Sequence, residues 1–74
     1  MADTGIVRDI PKNSNEIFRV EITEFKGSQY LNIRVWYRDK DGEFKPTQKG
    51  IAVAPEIFPQ LKDAILEAES RLQG

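Results

Sequence analysis

Residues Gln29–Arg38 read QYLNIRVWYR, and this stretch decides the fold. Leu31, Ile33, Val35 and Tyr37 fall on one side of an extended chain, and Tyr30, Asn32, Arg34 and Trp36 on the other. A side-chain period of two is that of a strand with two faces. Working outward, Phe18, Val20 and Ile22 alternate with Arg19, Glu21 and Thr23 and predict a second strand. Lys26-Gly27-Ser28 joins the two as a turn, because Gly adopts unusual φ values at no steric cost. On the other side, Asp39-Lys40-Asp41-Gly42 is a hairpin turn with Asp-Gly at its core. Glu43 to Lys45 then returns antiparallel. Pro46 interrupts it, having no N–H to give to a ladder, and Lys49-Gly50 adds a second irregularity. Ile51 to Val53 follows as a short fourth strand.

From Pro55 the period changes. Ile57, Leu61, Ile65, Ala68 and Leu72 recur three or four apart, which is one face of a helix. Pro55 suits a first helical position, whereas Pro59 lacks a donor and either loosens the first turn or marks where the regular helix starts. Residues 1–15 hold Gly5, Pro11, Asn13, Ser14 and Asn15 and little periodicity. They are expected to be a flexible arm carrying at most a short strand at Gly5 to Ile10, with residues 16–74 as the folded domain. The fold class is therefore α+β, a four-stranded antiparallel sheet followed by one C-terminal helix. A domain of 74 residues buries only ~60% of its unfolded surface, and one helix on one sheet is a thin core. Homodimerisation is the expected source of the missing burial.

The chain has no cysteine and no histidine. That removes disulfides, the common zinc sites, Cys nucleophiles and His-based acid–base chemistry. It also lacks a Gly-rich phosphate loop, so it is expected not to be an enzyme and to need no cofactor or metal. Asp39, Asp41 and Glu43 lack the ligand count of a calcium loop and belong to the hairpin turn. No stretch approaches the ~20 apolar residues of a membrane span, and the polar opening has no signal-peptide pattern. A soluble, cytoplasmic, nucleoid-associated protein is the expectation.

Formal net charge is −1, so a site for an anion must be a local patch. Between Arg19 and Lys49 there are seven basic and five acidic residues, whereas Gly50 onward has two basic and four acidic. The sheet is thus the cationic part, and it also holds Phe25, Tyr30, Trp36, Tyr37 and Phe44. Aromatics interleaved with Lys and Arg are what a single-strand binder needs: bases stack on rings while cations follow phosphates. The bland alternative is that strands favour aromatics and that Lys and Arg keep edges soluble.

Across Phe25 to Leu61 the sequence resembles the transcriptional positive cofactor 4 family of single-stranded-DNA-binding coactivators. The resemblance is carried by Phe25-Lys26-Gly27, Ile33-Arg34, Trp36-Tyr37, Asp39, Gly42-Glu43, Lys45-Pro46, Lys49-Gly50-Ile51, Pro55-Glu56, Phe58 and Gln60-Leu61-Lys62, in order and without a gap. It implies a strongly curved sheet, a homodimer built through the helices, and channels for single strands of DNA, with RNA as an alternative ligand. It also implies a transcription-related role in which transcription-machinery proteins are further partners. Position by position, it implies stacking by Phe25 and by Tyr37, with Trp36 the other candidate of that pair, and phosphate contacts by Lys26, Arg34, Lys45 and Lys49. Ser28, Gln48, Glu16 and Thr23 stand where better-known eukaryotic members are basic, which implies a less cationic surface. The long Ser- and Lys-rich arm of those members is absent, as in minimal one-domain bacterial versions.

The residues themselves weigh unevenly. Phe25 adjoins a Gly turn, where a large ring has little reason to be buried. Tyr37 shares its facing with Leu31, Ile33 and Val35, which favours a core role unless a bulge turns the strand end outward. Lys45 and Lys49 flank irregular backbone and are expected to be exposed. The rival function is a protein-interaction dimer that receives a peptide on its aromatic sheet face.

Overall fold

The computed structural model describes residues 4–73. Four strands, β1 (Gly5–Pro11), β2 (Glu16–Phe25), β3 (Ser28–Arg38) and β4 (Phe44–Val53), form one antiparallel meander in the order β1-β2-β3-β4, and helix α1 (Phe58–Gln73) follows. Each connection has a local cause. Between β1 and β2, the Asn13 side-chain oxygen accepts the N–H groups of Asn15 and Glu16, both at 2.9 Å. The β2–β3 hairpin closes through Lys26 and Gly27, at φ 51° and 81°, the two positive values that a two-residue hairpin turn requires. Between β3 and β4, one carboxylate oxygen of Asp39 accepts the N–H of Asp41 at 2.9 Å and of Glu43 at 3.0 Å.

The sheet differs from the sequence expectation at its two outer strands. The segment expected to be an arm supplies the edge strand β1, close to the short strand weighed at Gly5 to Ile10. It pairs with β2 despite its breakers because an edge strand needs partners on one side only. The two short strands expected at 43–45 and 51–53 are one strand, β4. Pro46 is accommodated opposite Trp36 because β4 is also an edge, and the register slips between Arg34 and Trp36 to admit the irregular segment. The helix starts at Phe58, so Pro59 lies in its first turn, where a missing N–H leaves no bond unmade.

Register sorts the side chains by face. Phe18, Val20 and Ile22 stand across from Val35, Ile33 and Leu31, and Ile33 and Leu31 stand across from Ile51 and Val53, making one face apolar. The other face carries Arg19 opposite Arg34, Glu21 opposite Asn32 and Thr23 opposite Tyr30. Among the described residues only Ile17, Val35 and Val53 are buried. An apolar hollow of roughly 560 Å³ remains on the apolar face, lined by Val7, Val20, Ile22, Leu31, Ile33 and Phe58 among others. The helix does not fill it: Ile65 and Leu66 are each 52% exposed. The chain exposes 6022 Å², against roughly 4,700 Å² for a compact monomer of 8.5 kDa. Its radius of gyration is 14.1 Å, against roughly 11 Å for a compact domain of this length.

Candidate nucleic-acid interface

At the β2–β3 hairpin tip, Phe25 is 63% exposed and pairs across the turn with Ser28. The Lys26 ammonium lies 5.4 Å from the centre of the Phe25 ring. A shallow depression beside the ring is lined by Thr23, Phe25, Tyr30, Asn32 and Ala52, and Asn32 donates a side-chain hydrogen bond to Thr23 there. Folding would bury a ring of this size if it could. An exposed ring with its own cation is instead a platform on which a base can stack beside a neutralised phosphate.

The opposite end of the hairpin carries a second group. Tyr37 stands between Glu16 on β2 and Lys45 on β4, so the three form one row across the sheet. Tyr37 is 42% exposed at this strand end, not packed as its apolar row would suggest. Lys45 reaches Asp39 at 3.5 Å and Glu43 at 3.8 Å, exposed pairs that a phosphate can exchange at little cost. The Glu43 N–H above all, then the Asp41 N–H and Lys45, holds the Asp39 carboxyl below its ordinary range. Lys49 is exposed on the irregular part of β4 and makes no ion pair within 4 Å among the described residues.

Arg34 and Trp36 have structural work. Arg34 donates from its guanidinium to the Thr47 carbonyl at 2.8 Å, fastening the irregular segment that carries Lys49. Trp36 lies under the Arg19 guanidinium, 4.2 Å from the ring centre. Arg19 is held there by two bonds to Asp9, at 2.8 and 3.1 Å. One face of the Trp36 ring is therefore already occupied, which leaves Tyr37 as the freer ring of the pair.

The candidates thus separate into two groups, Phe25 with Lys26 and Tyr37 with Lys45 and Lys49. Between Ser28 and Tyr37 lies roughly 30 Å of strand at ~3.3 Å per residue. By register Phe25 lies on the face of Thr23 and Arg34, whereas Tyr37 lies on the opposite face at the far end of β3. Tyr30 joins the first group, and its place on the polar face of β3 was the available signal. Lys12 joins the second through its 3.3 Å contact with Glu16, which no periodicity in residues 1–15 could indicate.

Comparisons with known proteins follow the same lines. Residues 12–64, more than half of the chain, match the family described as Transcriptional Coactivator p15 (PC4). A Caenorhabditis elegans protein named for RNA polymerase II transcriptional coactivators is 33% identical over 75 residues, covering 92% of this chain and 59% of its own length. The chain therefore spans little more than half of that relative. Among solved structures, a PC4 homologue from Burkholderia pseudomallei superposes with a TM-score of 0.84 at 28% identity, over 93% of each chain. A bacteriophage T5 homologue of the eukaryotic transcription coactivator PC4, implicated in recombination-dependent DNA replication, reaches 0.78 at 27% identity, over 97% of this chain and 83% of its own.

Proposed function

The chain belongs to the Transcriptional Coactivator p15 (PC4) family, and from that membership we propose that it binds single-stranded DNA as a homodimer, largely without sequence preference. The observation that carries the reading is the exposed Phe25 ring with the Lys26 ammonium 5.4 Å from its centre, at the tip of a cationic hairpin. Bases of a single strand stack on Phe25 and Tyr37, and Lys26, Lys45 and Lys49 follow the phosphates. Arg34 acts by holding the β4 segment that presents Lys49. The role is transcription-related and coactivator-like, and the protein acts by binding, with no catalysis of its own. The T5 homologue's link to DNA replication supports DNA over RNA as the ligand.

The dimer reading rests on the apolar side of the sheet. The chain's exposed area exceeds that of a compact monomer by roughly 1,300 Å², more than the ~800 Å² per partner of a standard interface. A second copy would cover the apolar hollow and the exposed stripe of α1, and would leave the Phe25 side of the sheet free.

Two substitutions test stacking against charge. Phe25→Ala is expected to weaken oligo-dT binding by roughly 1–3 kcal/mol and to leave the salt dependence unchanged. Lys49→Ala is expected to flatten the slope of log affinity against log salt by about 0.7, one phosphate contact. Unchanged affinity in Phe25→Ala would remove stacking from the hairpin tip. A protein-interaction module would bind oligo-dT in neither form.

A further inference from the structure

Glu16 is out of place in the cationic end of the sheet. It stands directly across from Tyr37, which stands across from Lys45. Its carboxylate accepts hydrogen bonds from the Asn13 amide at 2.8 Å and the Lys12 ammonium at 3.3 Å. Those two bonds, with the more distant charge of Lys49 assisting, hold it below the ordinary carboxylate range. Lys45 is matched in the same way by Asp39 and Glu43. Every lysine of this end except Lys40 therefore has one of the protein's own carboxylates in contact with it or within its field.

The two sets of carboxylates differ in what else they do. Asp39 closes the β3–β4 turn by accepting the N–H groups of Asp41 and Glu43. Glu16 has no comparable duty. The turn before it is closed by the Asn13 oxygen and by the Glu16 backbone carbonyl, which accepts from Lys12 N–H at 2.9 Å and Asn13 N–H at 3.2 Å. A partly exposed carboxylate beside a stacking ring repels the phosphates that must flank a stacked base.

Resting on the single-strand reading above, we propose that Glu16 is a built-in competitor of the nucleic-acid backbone, which occupies a phosphate's place beside Tyr37 and is displaced from Lys12 when a strand binds. Solvent counter-ions that would otherwise sit on this lysine are replaced by a fixed one. Affinity at this end is then set lower, and its salt dependence shallower, than the number of lysines implies. Glu16 tunes the interface toward easy release.

The test is a titration of labelled oligo-dT at several salt concentrations with wild type, Glu16→Gln and Glu69→Gln. Glu16→Gln keeps the shape and the Asn13 contact, so thermal unfolding should be nearly unchanged. It is expected to bind about two- to tenfold tighter at low salt, the scale of one partly exposed charge interaction. Its salt slope should be steeper than wild type, because salt no longer screens a repulsion between Glu16 and the phosphates. Glu69→Gln makes the same change in net charge on the exposed helix and is expected to alter affinity by less than about twofold. Affinity in Glu16→Gln equal to or weaker than wild type overturns the inference, and so does an equal gain in Glu69→Gln. Failure of wild type to bind oligo-dT at all would instead overturn the single-strand reading on which it rests.

Discussion

Arg19 lies 4.2 Å from the centre of the Trp36 ring with its guanidinium clamped by Asp9, while the neighbouring Tyr37 ring is 42% exposed between Glu16 and Lys45. Adjacent residues of one strand face opposite sides, so the two rings have different duties. Trp36→Ala leaves Arg19 without the ring it packs on and is expected to cost about 2–4 kcal/mol, the low end for a large aromatic because Trp36 is only half-buried. Tyr37→Ala is expected to leave the melting temperature almost unmoved and to lower affinity for a single strand by roughly 1–3 kcal/mol. Thermal melts and titrations of both variants separate the roles. A folded Trp36→Ala protein that has lost binding would transfer the stacking to Trp36.

Strand β4 shows how one element makes a site from an irregularity. Thr47 donates from its hydroxyl to the Val35 carbonyl at 2.8 Å and accepts the Lys49 N–H at 3.1 Å, while Arg34 binds the Thr47 carbonyl. These bonds turn the segment outward with Lys49 on it. The strand returns to register at Gly50, where a Cβ would lie 2.8 Å from the Ile33 carbonyl oxygen and 2.9 Å from the Arg34 Cα. Gly50→Ala is expected to destabilise the fold by roughly 1–3 kcal/mol and to weaken binding without removing a charge. A denaturation midpoint equal to wild type would refute the close-packing account. The same irregularity limited what could be read in advance. Strands β2 and β3 were legible because both keep a period of two, and α1 because Ile57, Leu61, Ile65, Ala68 and Leu72 keep the helical one. β4 read as two strands because a bulge has no period. β1 read as an arm because Gly5 and Pro11 signal a break in isolation, whereas pairing to β2 is decided by the rest of the sheet. Of the candidate site, the exposure of Phe25 beside its Gly turn was legible from the residues, and that of Lys45 and Lys49 from irregular backbone. The tie between Arg34 and Thr47 and the cover of Arg19 over Trp36 depend on register, which no single stretch of sequence encodes.

At the scale of the molecule the four strands and helix are laid out over 41 × 38 × 19 Å, too open for a chain that must bury its apolar face alone. A homodimer at micromolar concentration is therefore expected in sedimentation, and Ile65→Glu separates that account from a monomeric one. On a monomer, a charge at a side chain already 52% exposed would change stability by no more than about 0.5 kcal/mol. In the dimer it is expected to split the assembly and unfold much of the protein, because the apolar hollow loses its cover. A well-folded wild-type monomer at micromolar concentration would contradict this. Under the proposed reading, the dimer would leave exposed rings flanked by cations, and their stacking partners would be unpaired bases. Competition between oligo-dT and a matched duplex of equal length, at one salt concentration and with wild-type protein, tests that claim most directly. The account predicts that the single strand displaces the duplex with clear preference, and that other single-stranded sequences compete about as well. Equal affinity for the duplex would contradict it, since duplex bases offer no free face to Phe25 or Tyr37.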